Sequence, residues 1–284
     1  MTQIVTTIAE MREIARGWHR AGESVGLVPT MGYLHEGHAS LILRASSEND
    51  RTVVSVFVNP TQFGEGEDLE SYPRDLEHDA ELAQNCGADV VFHPEPSEMY
   101  FENRCTSVHV DGLGAELCGK SRPIHFDGVC LVVSKLLNIV CPEHAYFGQK
   151  DAQQLLIVRR MVRDLSMGAE IVACPIVRED DGLAKSSRNT YLNAEERAAA
   201  VVLSRSLAAG RAALEAGERN AGNVRAAIFN MLESEPLANP EYVEVVSTET
   251  VKPVDAVEGE VLVAIAVRIG STRLIDNFFF TPEN

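Results

Sequence analysis

Two histidines, His35 and His38, stand three residues apart in the run Val28-Pro29-Thr30-Met31-Gly32-Tyr33-Leu34-His35-Glu36-Gly37-His38. Imidazole can hold a proton or donate to a phosphate oxygen near neutral pH. At this spacing both rings project from one face of a first helical turn. The preceding chain supplies the rest of an anion site. Val25 to Val28 reads as a short buried strand, a glycine-containing loop follows, and a helix opens at the histidines. Strand, glycine loop and helix N-terminus leave backbone N–H groups unpaired and aim the positive end of the helix dipole at a ligand. Gly37 lacks a Cβ, so a nucleotide can lie close to the backbone. Zinc is a competing use of two histidines, but it needs further ligands at suitable spacing. The other histidines (19, 78, 93, 109, 125 and 144) are scattered and no cysteine is close in sequence. A plain helix start with two surface histidines is the other alternative.

A second cluster, Gly182-Leu183-Ala184-Lys185-Ser186-Ser187-Arg188-Asn189, carries two cations and two hydroxyl donors beside a flexible glycine. Such a loop can close over the β- and γ-phosphates of ATP and stabilise charge on departing pyrophosphate. A solvated basic linker, or a helix cap at Ser186 and Ser187, is the plainer alternative. A third cluster, Phe147-Gly148-Gln149-Lys150-Asp151, lies where a strand gives way to a helix. Lys150 can reach phosphate as a point charge. Asp151 can cap the helix or accept ribose hydroxyls. The first cluster resembles the HxGH signature of nucleotidyl-transferring α/β enzymes, and the second resembles the KMSKS-type loop that accompanies it.

These clusters need a scaffold. Met11, Ile14, Ala15 and Trp18 give an amphipathic first helix. Thr52 to Val58 is a continuous run of the kind buried on both sheet faces. Arg74 to Cys86 reads as helix, Asp89 to Phe92 as strand, and Val129 to Val140 as a largely buried helix. Ala145 to Phe147, Ala152 to Leu165 and Ile171 to Val177 continue the alternation. Alternating strands and helices predict a parallel sheet with right-handed crossovers, and ligands beyond the carboxyl ends of its strands. The expected fold is therefore α/β, a Rossmann-like parallel sheet over residues 1–176. A smaller α+β domain is expected over 177–284, with helices at 194–216 and 223–232 followed by three β-runs.

The 284 residues carry a formal charge of −17, which disfavours a protein that wraps nucleic acid. A few basic groups in one cleft can still attract an anionic small molecule. The six cysteines form no CxxC and several sit in apolar runs, which suggests reduced thiols and a cytoplasmic protein. No secretory signal and no membrane span is expected.

With these stretches the chain resembles the pantothenate synthetase family, whose members join pantoate to β-alanine. The matching segments are Pro29 to His38, Phe57 to Phe63, Tyr72 to Arg74, Arg122-Pro123 with His125-Phe126, Phe147 to Gln154, Asp181 to Tyr191, and Arg273 to Asn277. The resemblance implies an ATP-dependent ligase that forms pantoyl adenylate and then pantothenate, releasing pyrophosphate and AMP. It implies ATP contacts from Met31, Gly32, Tyr33, Leu34, His35, Glu36, Gly37 and His38, from Gly148, Gln149, Lys150 and Asp151, from Val177, and from Lys185, Ser186, Ser187 and Arg188. His38, His35, Lys150 and Arg188 would carry the catalysis. Gln62 and Gln154 would bind pantoate, with Gln62 also bearing on β-alanine, and Asn59 and Tyr72 would form walls. An Asx turn at Asn59 and ordinary packing at Tyr72 are the alternatives. Arg122 either meets an anion or ties down the irregular segment 94–127. Asp79 is the candidate ligand for Mg²⁺, or else part of a solvated helix face. A homodimer is also implied. Lys185, Gln149 and Thr61 depart from the commonest family pattern, and none of the three removes an essential donor. Class I aminoacyl-tRNA synthetases are larger and bind RNA, and the small adenylyltransferases lack the NPTQF and FGQKD stretches.

Overall fold

A computed structural model describes residues 2–283. In chain order these form β1 (Gln3–Val5), α1 (Ile8–Ala21), β2 (Val25–Thr30), α2 (Glu36–Glu48), β3 (Arg51–Val56), α3 (Leu76–Asn85), β4 (Val90–Phe92), α4 (Pro96–Met99), α5 (Cys118–Ser121) and α6 (His125–Val140). There follow β5 (His144–Gly148), α7 (Ala152–Asp164), β6 (Glu170–Cys174), α8 (Ala194–Ala199), α9 (Val202–Glu215), α10 (Ala221–Glu233), β7 (Ala238–Ser247), β8 (Val261–Ile269) and β9 (Thr272–Phe280). The chain divides into two compact units. One holds residues up to Asp111 with 122–149 and 157–175; the other holds 112–121, 150–156 and 176 onward.

The first unit contains the expected parallel sheet, six-stranded, in the order β1-β4-β3-β2-β5-β6. Val53 and Val54 of β3 are fully buried, as a two-sided apolar run requires. Each such side chain contributes about 1.5–3 kcal/mol by leaving water. The strand order runs outward from β2 through β3 to β4, then returns to place β5 on the other side of β2. That reversal makes the carboxyl edge of β2 a topological switch point, where open α/β sheets bind ligands. β2 is longer than its apolar run. It continues through Pro29 and Thr30, pairing Pro29 with Ser55 and Thr30 with Val56.

The second unit carries an antiparallel sheet ordered β7-β8-β9. Leu203, Leu207, Leu214, Val224, Ile228 and Leu232 of its helices share a core with Val245, Val263, Ile265 and Val267. At Gly210 a Cβ would stand 2.6 Å from Ile228, so only glycine allows α9 and α10 to approach this closely. The alanine-rich stretch expected as one helix over 194–216 is two, α8 and α9, separated at Ala200 and Val201. Among the described residues no helix is long and apolar enough to cross a membrane, and all six cysteines are free thiols.

Candidate active site

The loop after β2 is shaped by backbone conformation and one buried carboxylate. Gly32 has φ +86°, and a Cβ there would lie 2.9 Å from both Asp79 Oδ2 and Val56 Cγ1. Tyr33 also adopts the left-handed region, at φ 52°. Asp79, on α3 and 1% exposed, accepts from the Tyr33 amide at 2.9 Å and the Leu34 amide at 2.6 Å. Burial raises its pKa above the ordinary carboxylate value, while the two amides pull it down. Leu34 is buried, and its carbonyl contacts His78 Nε2 at 3.1 Å. Asp79 is thus a clamp on the loop. It does not fit as a magnesium ligand, because each oxygen already faces a backbone donor and the group is out of solvent. Among the described residues no cluster of three or more His, Cys, Asp or Glu has metal-binding geometry. Asp79→Asn turns one acceptor into a donor against an amide. We expect the ATP KM to rise about tenfold, with an unchanged magnesium dependence at saturating ATP. Titrating both in steady-state assays checks this, and a shifted magnesium optimum would return Asp79 to metal binding.

The two histidines cap their own helix. His35 is the N-cap of α2, and its Nδ1 accepts from the Gly37 amide at 3.1 Å. His38 reaches back so that its Nδ1 accepts from the His35 amide at 3.3 Å. This is a capping box made with imidazoles in place of the usual hydroxyl and carboxylate. A ring that accepts on Nδ1 carries its proton on Nε2 when neutral. Both histidines therefore direct an Nε2–H donor away from the cap, and their ring centroids lie 4.1 Å apart. Glu36 occupies the first turn of α2 between them. The helix opens at the histidines as expected, beginning at Glu36 with His35 as its cap.

After β3 the chain makes a single 3₁₀ turn, Pro60–Gln62. Asn59 is 1% exposed and forms the anticipated Asx turn, accepting from the Thr61 amide at 3.3 Å. It does more than turn the chain: its Nδ2 donates to Gln62 Oε1 and to the Gly128 carbonyl, each at 3.0 Å. Gln62 Nε2 lies 3.1 Å from Met31 Sδ, which joins the Gln62 turn to the histidine loop. Tyr72 is buried, edge-on to Phe63 at 6.2 Å, and so supports the residue after Gln62. Arg122 forks onto Glu67 at 2.8 and 2.6 Å, the tie-down alternative. At Gly148, the end of β5, a Cβ would meet nothing within 4 Å. Gln149 opens the short 3₁₀ turn that leads to Lys150 and Asp151.

In the second unit Lys150, Asp151 and the 182–189 loop are held by one strand. Asn277 of β9 donates from Nδ2 to the Lys150 carbonyl at 2.8 Å. Its neighbour Asp276, 1% exposed, takes a bidentate fork from Arg178 at 2.7 and 3.0 Å. Arg178 also donates to the Gly182 carbonyl at 3.0 Å. Val177 and Lys185 close a small hairpin, the Lys185 amide donating to the Val177 carbonyl at 2.9 Å. The Lys185 ammonium rests 2.6 Å from Glu179 across that hairpin. Ser186 caps the 3₁₀ turn Ser187–Tyr191 by accepting from the Arg188 amide at 3.3 Å. Lys150 Nζ lies 3.5 Å from Asp151 Oδ1. Gln154 is half-buried in the first turn of α7. Gln153, beside it, is buried and fastens the 112–121 segment through Leu113, Glu116 and Cys118.

Residue-type reasoning missed Tyr100, Gly128, Glu179, Arg178 and the roles of Asp276 and Asn277. The last two lie in a stretch singled out by resemblance alone.

A parallel sheet whose switch-point loop ends in two helix-capping histidines defines a nucleotide-binding α/β protein of the HxGH class. The model of the Pantoate-beta-alanine ligase family matches residues 3–279. The chain belongs to the pantoate–β-alanine ligase family. It is 58% identical over 279 residues to a pantothenate synthetase of Ruminiclostridium cellulolyticum, covering 98% of this chain and 99% of the relative. A crystal structure of pantothenate synthetase from Thermus thermophilus superposes with TM-score 0.92 at 46% identity, covering 98% of this chain and 99% of that one. The Francisella tularensis pantoate–β-alanine ligase, complexed with beta-gamma ATP and β-alanine, superposes with TM-score 0.79 at 32% identity over 98% and 97% of the two chains.

Proposed function

We propose that the ligase reaction, ATP-dependent condensation of pantoate with β-alanine, is carried in this chain by the two donor clusters acting on one ATP. The pantoate carboxylate oxygen attacks the α-phosphorus and the bond to the β-phosphate breaks, giving pantoyl adenylate and pyrophosphate. The β-alanine amine then attacks the acyl carbon and AMP departs, leaving pantothenate. His35 and His38 donate from Nε2 to phosphate oxygens as charge builds. Met31 to Leu34, Gly37, Gly148, Gln149 and Val177 line the nucleotide, and Asp151 takes the ribose. Lys150, Lys185, Ser186, Ser187 and Arg188 stabilise the departing pyrophosphate. Gln62 and Gln154 bind pantoate, Gln62 extends to β-alanine, and Asn59 and Tyr72 fix the wall behind them. The protein forms no covalent bond and acts by positioning and charge stabilisation. Magnesium enters as the counter-ion of the triphosphate, with no side chain assigned to it. The observation that carries this reading is the pair of capping bonds that His35 and His38 accept on Nδ1, which assign the ring proton to Nε2. Release of AMP, measured with pantoate and β-alanine omitted in turn, tests it. AMP in quantity without pantoate contradicts it.

The homodimer and the cytoplasmic setting belong to the same proposal; the six free thiols support a reducing compartment. The second unit is proposed to act as a lid through its 182–189 loop. Binding of ATP then protects the bonds after Lys185 and Arg188 from trypsin. Cleavage at an unchanged rate with saturating ATP argues against a closing loop.

A further inference from the structure

The turn that carries Gln62 is set by hydrogen bonds whose polarity can be worked out from one fixed point. The carbonyl of Gly128 has only lone pairs, so the Asn59 atom 3.0 Å from it must be the amide nitrogen. That nitrogen's second hydrogen goes to Gln62 Oε1 at 3.0 Å. Asn59 Oδ1 consequently faces donors: the Tyr100 hydroxyl at 2.7 Å, the Thr61 hydroxyl at 2.9 Å and the Thr61 amide at 3.3 Å. The Gln62 carbonyl oxygen of the side chain is therefore occupied, and its NH₂ group is turned the other way. Its partner there is Met31 Sδ, a weak acceptor that a carboxylate or hydroxyl oxygen outcompetes.

We infer that Gln62 meets the acid substrate as a hydrogen-bond donor, and that Tyr100, acting through Asn59, is the positioning residue that holds it so. The inference rests on the reading that Gln62 binds pantoate, and deepens it. Tyr100 suits the task. Its ring packs 6.2 Å from Phe57, with the Arg104 and Lys135 cations 5.4 and 5.8 Å from its centroid. Its hydroxyl donates to Asn59 Oδ1, and burial pushes its pKa further above the ordinary tyrosine value. The main chain of the turn is fixed separately. His125 Nδ1 contacts the Gln62 carbonyl at 2.9 Å, and a Cβ on Gly128 would come within 2.4 Å of the Thr61 carbonyl oxygen. Loss of the Tyr100 hydroxyl leaves the turn in place and removes the shortest of the three contacts to Asn59 Oδ1, so the Asn59–Gln62 pair is held less firmly in its orientation.

The test is steady-state kinetics on the full-length enzyme, with thermal melting to establish folding. Tyr100→Phe is expected to raise the pantoate KM about tenfold, leaving the ATP KM unchanged. Gln62→Ala raises the pantoate KM by about as much or more. In the Gln62→Ala background, Tyr100→Phe adds less than about a twofold effect, because the two act as one unit. Thr61→Val, which removes another donor to Asn59 Oδ1, gives a smaller change with the same selectivity and serves if Tyr100→Phe does not fold. An unmoved pantoate KM in Gln62→Ala defeats the underlying reading. A raised KM in Gln62→Ala with none in Tyr100→Phe overturns the inference. So does a Tyr100→Phe effect that falls equally on ATP, or persists in full without Gln62.

Discussion

Replacing His38 with alanine is expected to slow pantoyl-adenylate formation by about 10²-fold or more, the usual cost of removing a preorganised donor from a developing charge. The argument is geometric. His38 Nδ1 is engaged with the His35 amide, so Nε2 carries the ring proton and points from the first turn of α2. There it adds to the positive end of the helix dipole. The alanine variant also loses one half of the capping box, which costs about 0.5–2 kcal/mol of local stability. The two losses separate with His38→Asn. Asparagine can accept the His35 amide and so restores much of the cap, yet it cannot place a donor at the distance of Nε2. Stability is expected to recover in His38→Asn while single-turnover adenylation stays slow. A normal adenylation rate in either variant removes His38 from the reacting centre.

Lys150→Ala is expected to have a comparable effect on the same step, about 10²-fold, through loss of a point charge on the departing pyrophosphate. The side chain is only 20% exposed and has a carboxylate 3.5 Å away at Asp151, so its charge is weakly screened by solvent and available to a stronger anion. Its place in the chain is set by Asn277, which donates to the Lys150 carbonyl. Asn277→Ala should therefore slow adenylation in the same sense but less, about three- to tenfold, without touching the ammonium. Rapid-quench measurement of pyrophosphate release distinguishes the two. If Lys150→Ala releases pyrophosphate at the native rate, Lys150 has no part in adenylation.

What could be read from the sequence was local. The histidine loop declares itself within eleven residues, because capping, glycine and imidazole chemistry act over a single turn. The turn at Asn59 and Gln62 is similarly compact. The parallel sheet follows from the alternation of Thr52–Val58, Ala145–Phe147 and Ile171–Val177 with helices, and all three came out as strands with bounds shifted by a residue or more. β1 spans three residues, too few to display a period, and was not anticipated. The break between α8 and α9 has neither glycine nor proline to announce it.

The supporting residues were hidden for a different reason: their partners are distant in sequence. Arg178 meets Asp276 across 98 positions, Asn277 meets Lys150 across 127, and Tyr100 meets Asn59 across 41. Nothing in a tyrosine within a proline-rich stretch, or in an Asp-Asn pair within a strand, reveals which backbone they will serve. Gly128 reads as an ordinary helix residue until α6 is seen to press its backbone on the turn at Thr61. Asp79 was read by type, as a carboxylate available to a cation; burial beneath two amides gives it another task.

Isotope exchange between pyrophosphate and ATP, run without β-alanine on the native enzyme, His38→Ala and Lys150→Ala, bears most directly on the joint action of the histidine loop and Lys150. Exchange in the native enzyme that requires pantoate, and that falls about 10²-fold in both variants, is the predicted result. Exchange that proceeds without pantoate, or that survives intact in either variant, contradicts it.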